Sequence, residues 1–239
     1  MSPLHTSTAI PDLKTALIHS GRPYKAYLDM FALEEKDLAQ RILDCPGGFS
    51  NFNAVATRLG KQVVSVDPIY ALPLSRLKKL AEDGERVLAD TAPRKNWFGE
   101  VSPQRIAIVT ESLRVAKEEF FSDFPKGLAA QRYLAASLPD LPFADNSFDL
   151  ALSGYFLFLY EASLSFEFHL QSLQELLRVA TEVRVFPLVR MDDKPSAFLE
   201  PLKIHFCEKG YEWNLLSTRR PFRKGGATLL SIKRPVILS

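Results

Sequence analysis

The 239-residue sequence predicts an α/β protein built on an open, mostly parallel sheet with a reversed strand at one edge. Three observations predict it. An apolar run, a glycine turn, a helical stretch and a second apolar run follow one another over residues 41–67, which is one βαβ unit and requires parallel strands. The same alternation resumes over 132–187. The chain then closes on two strand-like runs separated by Pro221 and Gly225-Gly226, the pattern of an antiparallel pair at the end of a parallel sheet.

The elements follow in order. Residues 1–20 mix Ser, Thr and Pro with scattered apolar positions and read as a loose lead-in, and residues 1–40 as a whole read as a helical lead-in or lid. Tyr24, Tyr27, Leu28 and Phe31 recur at helical spacing, and a short helix over 34–40 follows. Arg41–Asp44 is an apolar strand end. Helix 53–59 is closed by Gly60, and Val63–Asp67 is a β-branched strand ending on a carboxylate. Residues 71–131 interrupt the alternation with two helical patterns. One runs through Leu74, Leu77, Leu80 and Ala81, the other through Ile106, Val109, Leu113, Ala116, Phe120 and Phe124, with a connection around Pro93–Pro103. They read as a helical insertion between the second and third strands, packed on the main domain. Strands at 132–136, 148–153 and 182–187, a helix over 166–179, and strands at 212–218 and 227–233 complete the chain.

Composition narrows the function. With 46% hydrophobic and 24% charged residues the chain is globular, and at this length it buries roughly 70–75% of its unfolded surface in a single domain over 1–239. Thirty basic and 28 acidic residues nearly cancel, so net charge points to neither nucleic acid nor membrane as a partner. Apolar runs such as 156–160 fall far short of the ~20 residues of a membrane span, and no basic-then-apolar leader opens the chain. Cys45 and Cys207 are too few for a disulfide framework or a thiolate metal site, and His5, His19 and His205 lie too far apart to mark a metal centre. A cytoplasmic protein without a bound metal is the expectation.

Open α/β sheets bind ligands in the crevice beyond the carboxyl ends of their strands. Two such ends stand out. Asp44-Cys45-Pro46-Gly47-Gly48-Phe49-Ser50 offers adjacent glycines where backbone can approach a ligand, and Asp67, about twenty residues on, can accept both hydroxyls of a ribose. Each alone has a plainer reading, a tight turn for the glycines and a helix cap before Pro68 for Asp67. Together they point to a ribose-bearing ligand. No G-x-G-x-x-G and no Gly-Lys-Ser/Thr occurs, so a nucleoside without phosphates fits better than a dinucleotide or a nucleoside triphosphate.

These residues also resemble a family. Ile42–Gly48 looks like motif I of the class I S-adenosylmethionine-dependent methyltransferases, and Val64-Ser65-Val66-Asp67 like the acidic strand end that follows it. Leu141-Pro142-Phe143 through Phe148-Asp149-Leu150 to Ser153 is similar to the segment leading into and through the fourth strand, and Glu175–Val179 to the helix before the fifth. The resemblance covers residues 40–70 and 132–233. It implies a Rossmann-like, mostly parallel seven-stranded sheet with helices on both faces and strands six and seven forming the reversed edge. It implies S-adenosyl-L-methionine as cofactor, with S-adenosyl-L-homocysteine as product. Asp44, Cys45, Pro46, Gly47 and Gly48 would surround the methionine end, Asp67 and Pro68 the ribose, and Ser153 the end of the fourth strand. Pro46 and Ser50 replace the outer glycines of motif I. Ser137 stands where the family often places an acid, so adenine would be read by the Ser137 hydroxyl or the Leu138 backbone.

Methyl transfer from a sulfonium is an in-line displacement that needs a base only when the acceptor must lose a proton. The acceptor loop, Ser153 to Tyr160, is aromatic and nearly uncharged, so a small aromatic or apolar acceptor is expected. Tyr155 and Tyr160 are candidates to orient it, and His169 is the best candidate base; aromatic core fill and a core-edge histidine are the plainer readings. The segment from Arg22 to Tyr27 could close over the cofactor, with Tyr27 against its carboxylate end. Cys45 reads as a packing residue. Beyond Glu212 the chain carries Arg219, Arg220, Arg223, Lys224, Lys233 and Arg234 and no acid. A solvated hairpin face accounts for that stripe more simply than RNA does. An RNA methyltransferase, or a non-catalytic protein that binds a partner through the insertion, are the rival readings.

Overall fold

The computed structural model describes residues 21–94, 102–222 and 226–235. Seven strands, β1 (Arg41–Asp44), β2 (Gln62–Val66), β3 (Tyr133–Leu134), β4 (Phe148–Gly154), β5 (Ala180–Phe186), β6 (Glu212–Phe222) and β7 (Gly226–Lys233), form one sheet in the order β3-β2-β1-β4-β5-β7-β6. The strands from β3 through β5 are parallel, and β7 runs antiparallel to both of its neighbours. The reversed strand therefore lies one place in from the edge, and β6 is outermost. So short a connection between β6 and β7 makes β7 fold straight back on its partner, and it is the returning strand that docks on β5.

Among the described residues seven helices accompany the sheet: α1 (Tyr24–Met30), α2 (Glu35–Leu38), α3 (Phe52–Arg58), α4 (Leu74–Arg94), α5 (Pro103–Ala129), α6 (Phe166–Val179) and α7 (Leu199–Glu208). Strand periodicity of two divides the core between the two faces. Leu43, Ala151, Val183 and Val185 pack with Leu173, Leu176 and Leu177 of α6 and with Leu202 and Phe206 of α7. Ile42, Leu150 and Leu152 pack on the other side with Tyr27, Met30 and Phe31 of α1 and Phe52 and Ala56 of α3. Burial on both faces is why the central strands read as continuous apolar runs.

Three expectations change. The helical segment leading into β1 is part of the core and not only a cover, since Tyr27, Met30 and Phe31 are fully buried. Helix α7 is absent from the sequence reading; Pro201 sits in its first turn and only Leu202 and Phe206 are buried, too thin an apolar stripe to recognise without the sheet beneath it. Strand β6 runs on to Phe222 instead of stopping at Thr218. Pro93 falls inside α4; the rest of the connection over 95–101, the lead-in 1–20, and Arg223 and Lys224 lie outside the described residues. Among the described residues, no helix is long and apolar enough to cross a membrane.

The two insertion helices bear directly on the crevice. Leu77 and Ala81 of α4 and Phe120 and Phe124 of α5 close a cluster with Phe49, Ile69, Tyr70 and Tyr133. Phe49 meets Phe120 edge-on and Tyr70 stacks on it, with ring centroids 5.5 and 5.9 Å away. The insertion thereby supports both loops that the sequence singles out.

Candidate functional site

The order of the sheet reverses at β1, which lies between β2 and β4, so the crevice belongs beyond the carboxyl ends of these strands. Asp44 ends β1 and is 1% exposed. The Tyr27 hydroxyl donates to its Oδ1 at 2.9 Å, and the Ser65 hydroxyl to its Oδ2 at 3.0 Å. Burial pushes the Asp44 carboxyl up to about 6, against the opposing pull of Arg22, Tyr27 and Ser65.

The two glycines do different things. A Cβ on Gly47 would lie 2.5 Å from the Tyr70 hydroxyl and 2.9 Å from the Ser65 Cβ, so the protein's own side chains, not a ligand, take up the space that its hydrogen leaves. Gly48 sits at φ +55°, where a side chain is strained. Its N–H donates to Asp67 Oδ2 at 2.9 Å and its carbonyl accepts from the Tyr70 hydroxyl at 2.8 Å. Asp67 Oδ1 accepts the Ile69 N–H at 3.1 Å, capping the 3₁₀ turn Pro68–Ala71. Asp67 is thus a cap and a tie to the glycine loop at once. Each of its oxygens carries one of these bonds and keeps a further acceptor position. Burial raises this carboxyl too, and its two backbone N–H bonds oppose the rise.

Arg22 joins this group without any spacing signal. Its carbonyl accepts the Ser50 hydroxyl at 3.0 Å and the Asn51 N–H at 3.2 Å. Its Nη2 donates to the carbonyls of Pro46 and Gly47 at 3.2 and 3.0 Å. The guanidinium carbon lies 5.8 Å from the ring centroids of both Tyr27 and Tyr155. Tyr27, placed by the sequence against the cofactor, uses its hydroxyl on Asp44 and stacks on Phe52 at 4.4 Å.

The other candidates scatter more widely. Pro46 and Pro68 are half-buried at the two loops. Cys45 points into the core, and burial raises its thiol well above the ordinary range. Ser153 is fully buried near the end of β4, and among the described residues its hydroxyl has no partner. Tyr155 follows β4 at φ +56°, with its N–H bonded to the Phe186 carbonyl at 2.7 Å. Ser137 is half-buried in a turn closed by Asp140 N–H, and Leu138 is buried in the core. Tyr160 packs with Leu159 and Leu164 in a separate cluster. Among the described residues no cluster fit for a metal occurs. Of the basic stripe, Lys233 pairs with Glu182 and Arg234 with Asn146.

His169 departs most from its expected role. It is 0% exposed, so its ring meets no solvent in the crevice, and it packs between Phe158 and Phe198 with centroids 5.5 and 5.0 Å away. Its Nδ1 bonds the Ser165 carbonyl at 2.8 Å, and burial lowers its pKa, keeping it neutral. This environment makes His169 a packing residue at the start of α6. His169→Ala is expected to cost about 2–4 kcal/mol of stability, in the range of large-to-small core changes, as measured by urea denaturation. A loss below ~0.5 kcal/mol would contradict the packing role.

No known protein-family model matches the chain. Its seven strands, mostly parallel with β7 reversed, form the kind of sheet that the motif resemblance implies. Among solved structures the chain is similar to a SAM dependent methyltransferase from Aquifex aeolicus, at 15% identity over 87% of this chain and 90% of that one, with a TM-score of 0.41. It is similar to the PH0226 protein from Pyrococcus horikoshii OT3, at 12% identity over 89% and 91% of the two chains and a TM-score of 0.44. A third is magnesium protoporphyrin IX methyltransferase from Synechocystis with bound SAM, at 10% identity over 84% and 73% and a TM-score of 0.43. In sequence, Uncharacterized protein MJ0045 of Methanocaldococcus jannaschii is 30% identical over 218 residues, which are 90% of this chain and 95% of that protein. At that identity across nearly the whole of both chains, this protein belongs to the MJ0045 family.

Proposed function

We propose that the protein is an S-adenosylmethionine-dependent methyltransferase acting on a small aromatic or apolar acceptor. The observation that carries the reading is the pair of strand-end carboxylates: Asp44 closing β1, held by the Tyr27 and Ser65 hydroxyls, and Asp67 just beyond β2, tied to the glycine loop by the Gly48 N–H. A nucleoside with a cationic tail needs this set: Asp67 to accept ribose hydroxyls, and Asp44 to face positive charge. Ser137 and the Leu138 backbone would read adenine, with Cys45, Pro46, Gly47, Gly48, Pro68 and Ser153 lining the path. When bound, S-adenosylmethionine supplies an electrophilic methyl group on its sulfonium. The chain's own contribution is alignment: Tyr155 and the aromatic loop through Tyr160 would hold the acceptor atom in line with that methyl. Such positioning is worth up to ~7–11 kcal/mol.

The experiment is calorimetric titration with S-adenosylmethionine, followed by an acceptor screen read as S-adenosylhomocysteine formation. Micromolar binding is expected; no heat with either nucleoside would sink the reading.

Binding should also depend on pH. Asp44 faces Arg22, Tyr27, Ser65 and Asp67, and its carboxyl titrates at about 6 in the folded protein. Attraction of a cationic tail needs the ionised form, so affinity should fall about tenfold per pH unit below 6 and level off above it. Folding stability carries the opposite sign. A carboxyl raised above its ordinary value favours the protonated fold, so the Asp44 contribution is full below about pH 4 and is lost as the pH rises through 6. Titrations from pH 5 to 8 on the wild type and Asp44→Asn test this. A flat wild-type profile, or an unchanged slope in the variant, would contradict it.

A further inference from the structure

The two edges of the sheet are finished differently. Strand β3 closes one side with 2 residues, too short to template another strand. Strand β6 closes the other with 11, and among the described residues only β7 pairs with it. Proteins blunt such an edge with charge, proline, a bulge or a cover. On β6 the register shift and Pro221 both come after Ser217, and the run from Trp213 to Thr218 carries no charge. Asn214, Leu215, Leu216 and Ser217 are all exposed, Leu215 by 60% and Leu216 by 37%. Side chains alternate between the two faces of a strand. Trp213 stacks on Phe206 of α7 at 6.3 Å, whereas the Thr218 hydroxyl donates to the Asp29 carbonyl of α1, on the opposite face, at 2.8 Å. Leu215 therefore shares the α7 face and Leu216 the α1 face. The open backbone edge is apolar on both sides.

The charges at the two ends of this run identify the partner. Glu212 opens the strand and Arg219 follows the uncharged run, and both are exposed. A two-fold axis perpendicular to the sheet lays a second β6 antiparallel to the first, so the Glu212 end of each copy meets the Arg219 end of the other. Parallel pairing would set like charges together. The two-fold also keeps each face continuous, so a register centred on Leu215 or on Leu216 sets that leucine against its own copy. We propose that β6 is the contact surface for a second copy of this chain, the two strands pairing antiparallel into one sheet that runs through both protomers. Main-chain N–H and C=O groups supply the bonds, the leucines the apolar contact and the strand ends the direction. Pairing uses up the long edge of each copy and leaves only the short β3 edges outermost, so association stops at two. The crevice beyond β1 and β2 takes no part, so the contact forms whether or not a nucleoside binds there.

Sedimentation velocity on the full-length chain, over a range of protein concentrations, is the test. The wild type should sediment with the mass of two chains. Leu215→Lys and Leu216→Lys should each keep the wild-type urea midpoint and raise the dimer dissociation constant about tenfold or more, because the two-fold places each substitution in the interface twice. Glu212→Arg and Arg219→Glu should each weaken the dimer, and the two together should restore it, since opposite charges then meet again. Ile108→Lys, at a residue of α5 that is 70% exposed, should leave the dimer intact. A wild type that stays a single chain, or that grows beyond two, overturns the inference. So does a dimer that neither leucine variant weakens, one that Ile108→Lys dissociates, or a double charge variant no better than the single ones. If both leucine variants fail to fold, the charge exchange decides alone.

Discussion

Asp67→Asn is expected to bind S-adenosylmethionine at least tenfold more weakly than the wild type while keeping its fold. The carboxylate sits 6% exposed, with Gly48 N–H on one oxygen and Ile69 N–H on the other. Ribose hydroxyls would add bonds to the same two oxygens, and bonds to a charged group are worth roughly 1.5–3 kcal/mol each. Losing one is therefore a factor of ten or more in affinity. Asparagine keeps the shape and one carbonyl oxygen but turns the second acceptor into a donor. Alanine is the poorer test, because it would strand two backbone N–H groups at about 1–3 kcal/mol apiece and mix a folding defect with a binding one. Calorimetry on Asp67→Asn, with urea denaturation as the control for the fold, decides it. Equal affinity would mean that Asp67 is a turn cap and nothing more.

Arg184→Ala should destabilise the protein by about 3–5 kcal/mol, the range for breaking one side of a buried ion pair. Arg184 lies mid-strand on β5, with its side chain 9% exposed against 5% for Asp37. Its Nη2 and Nη1 grip the two Asp37 oxygens at 2.9 and 3.2 Å, its Nε donates to Glu182 at 2.7 Å, and its Nη1 also serves the Phe31 carbonyl at 3.0 Å. Asp37 in turn accepts the Glu34 N–H in the capping box of α2. Removing the guanidinium leaves a buried carboxylate, a half-neutralised Glu182 and an unpaired carbonyl where α1 and α2 meet the sheet. Urea denaturation reads the loss; a change under ~1 kcal/mol would show that the pair adds little. Arg184 lies below the strand ends, so cofactor affinity at temperatures where the variant is folded should not change.

The local segments that carry the site were legible for local reasons. Glycine at 47 and 48, carboxylates closing two short apolar runs, and a helix of suitable length between them are all settled within a short stretch of chain. The continuous apolar runs of the buried strands and the 3.6-residue period of the helix between them point the same way over 148–186. His169 shows where that kind of reading ends. A histidine one turn into an amphipathic helix is the same sequence feature whether it opens on a crevice or closes on phenylalanines, and only the packing of Phe158 and Phe198 around it distinguishes them.

Local pattern was thus sufficient for the βαβ unit, for the alternation that makes the sheet parallel, and for the two carboxylates at its strand ends, because each depends on residues close together in the chain. Contact decided the rest. The position of β7 between β5 and β6, the recruitment of α7 by Leu202 and Phe206, and the capture of Arg184 by Asp37 all join residues far apart in sequence. So does the reach of Arg22 across to Pro46, Gly47 and Tyr155. Such pairings leave no periodicity to read, since the free energy that selects them comes from burying and satisfying groups that meet only after the chain has folded.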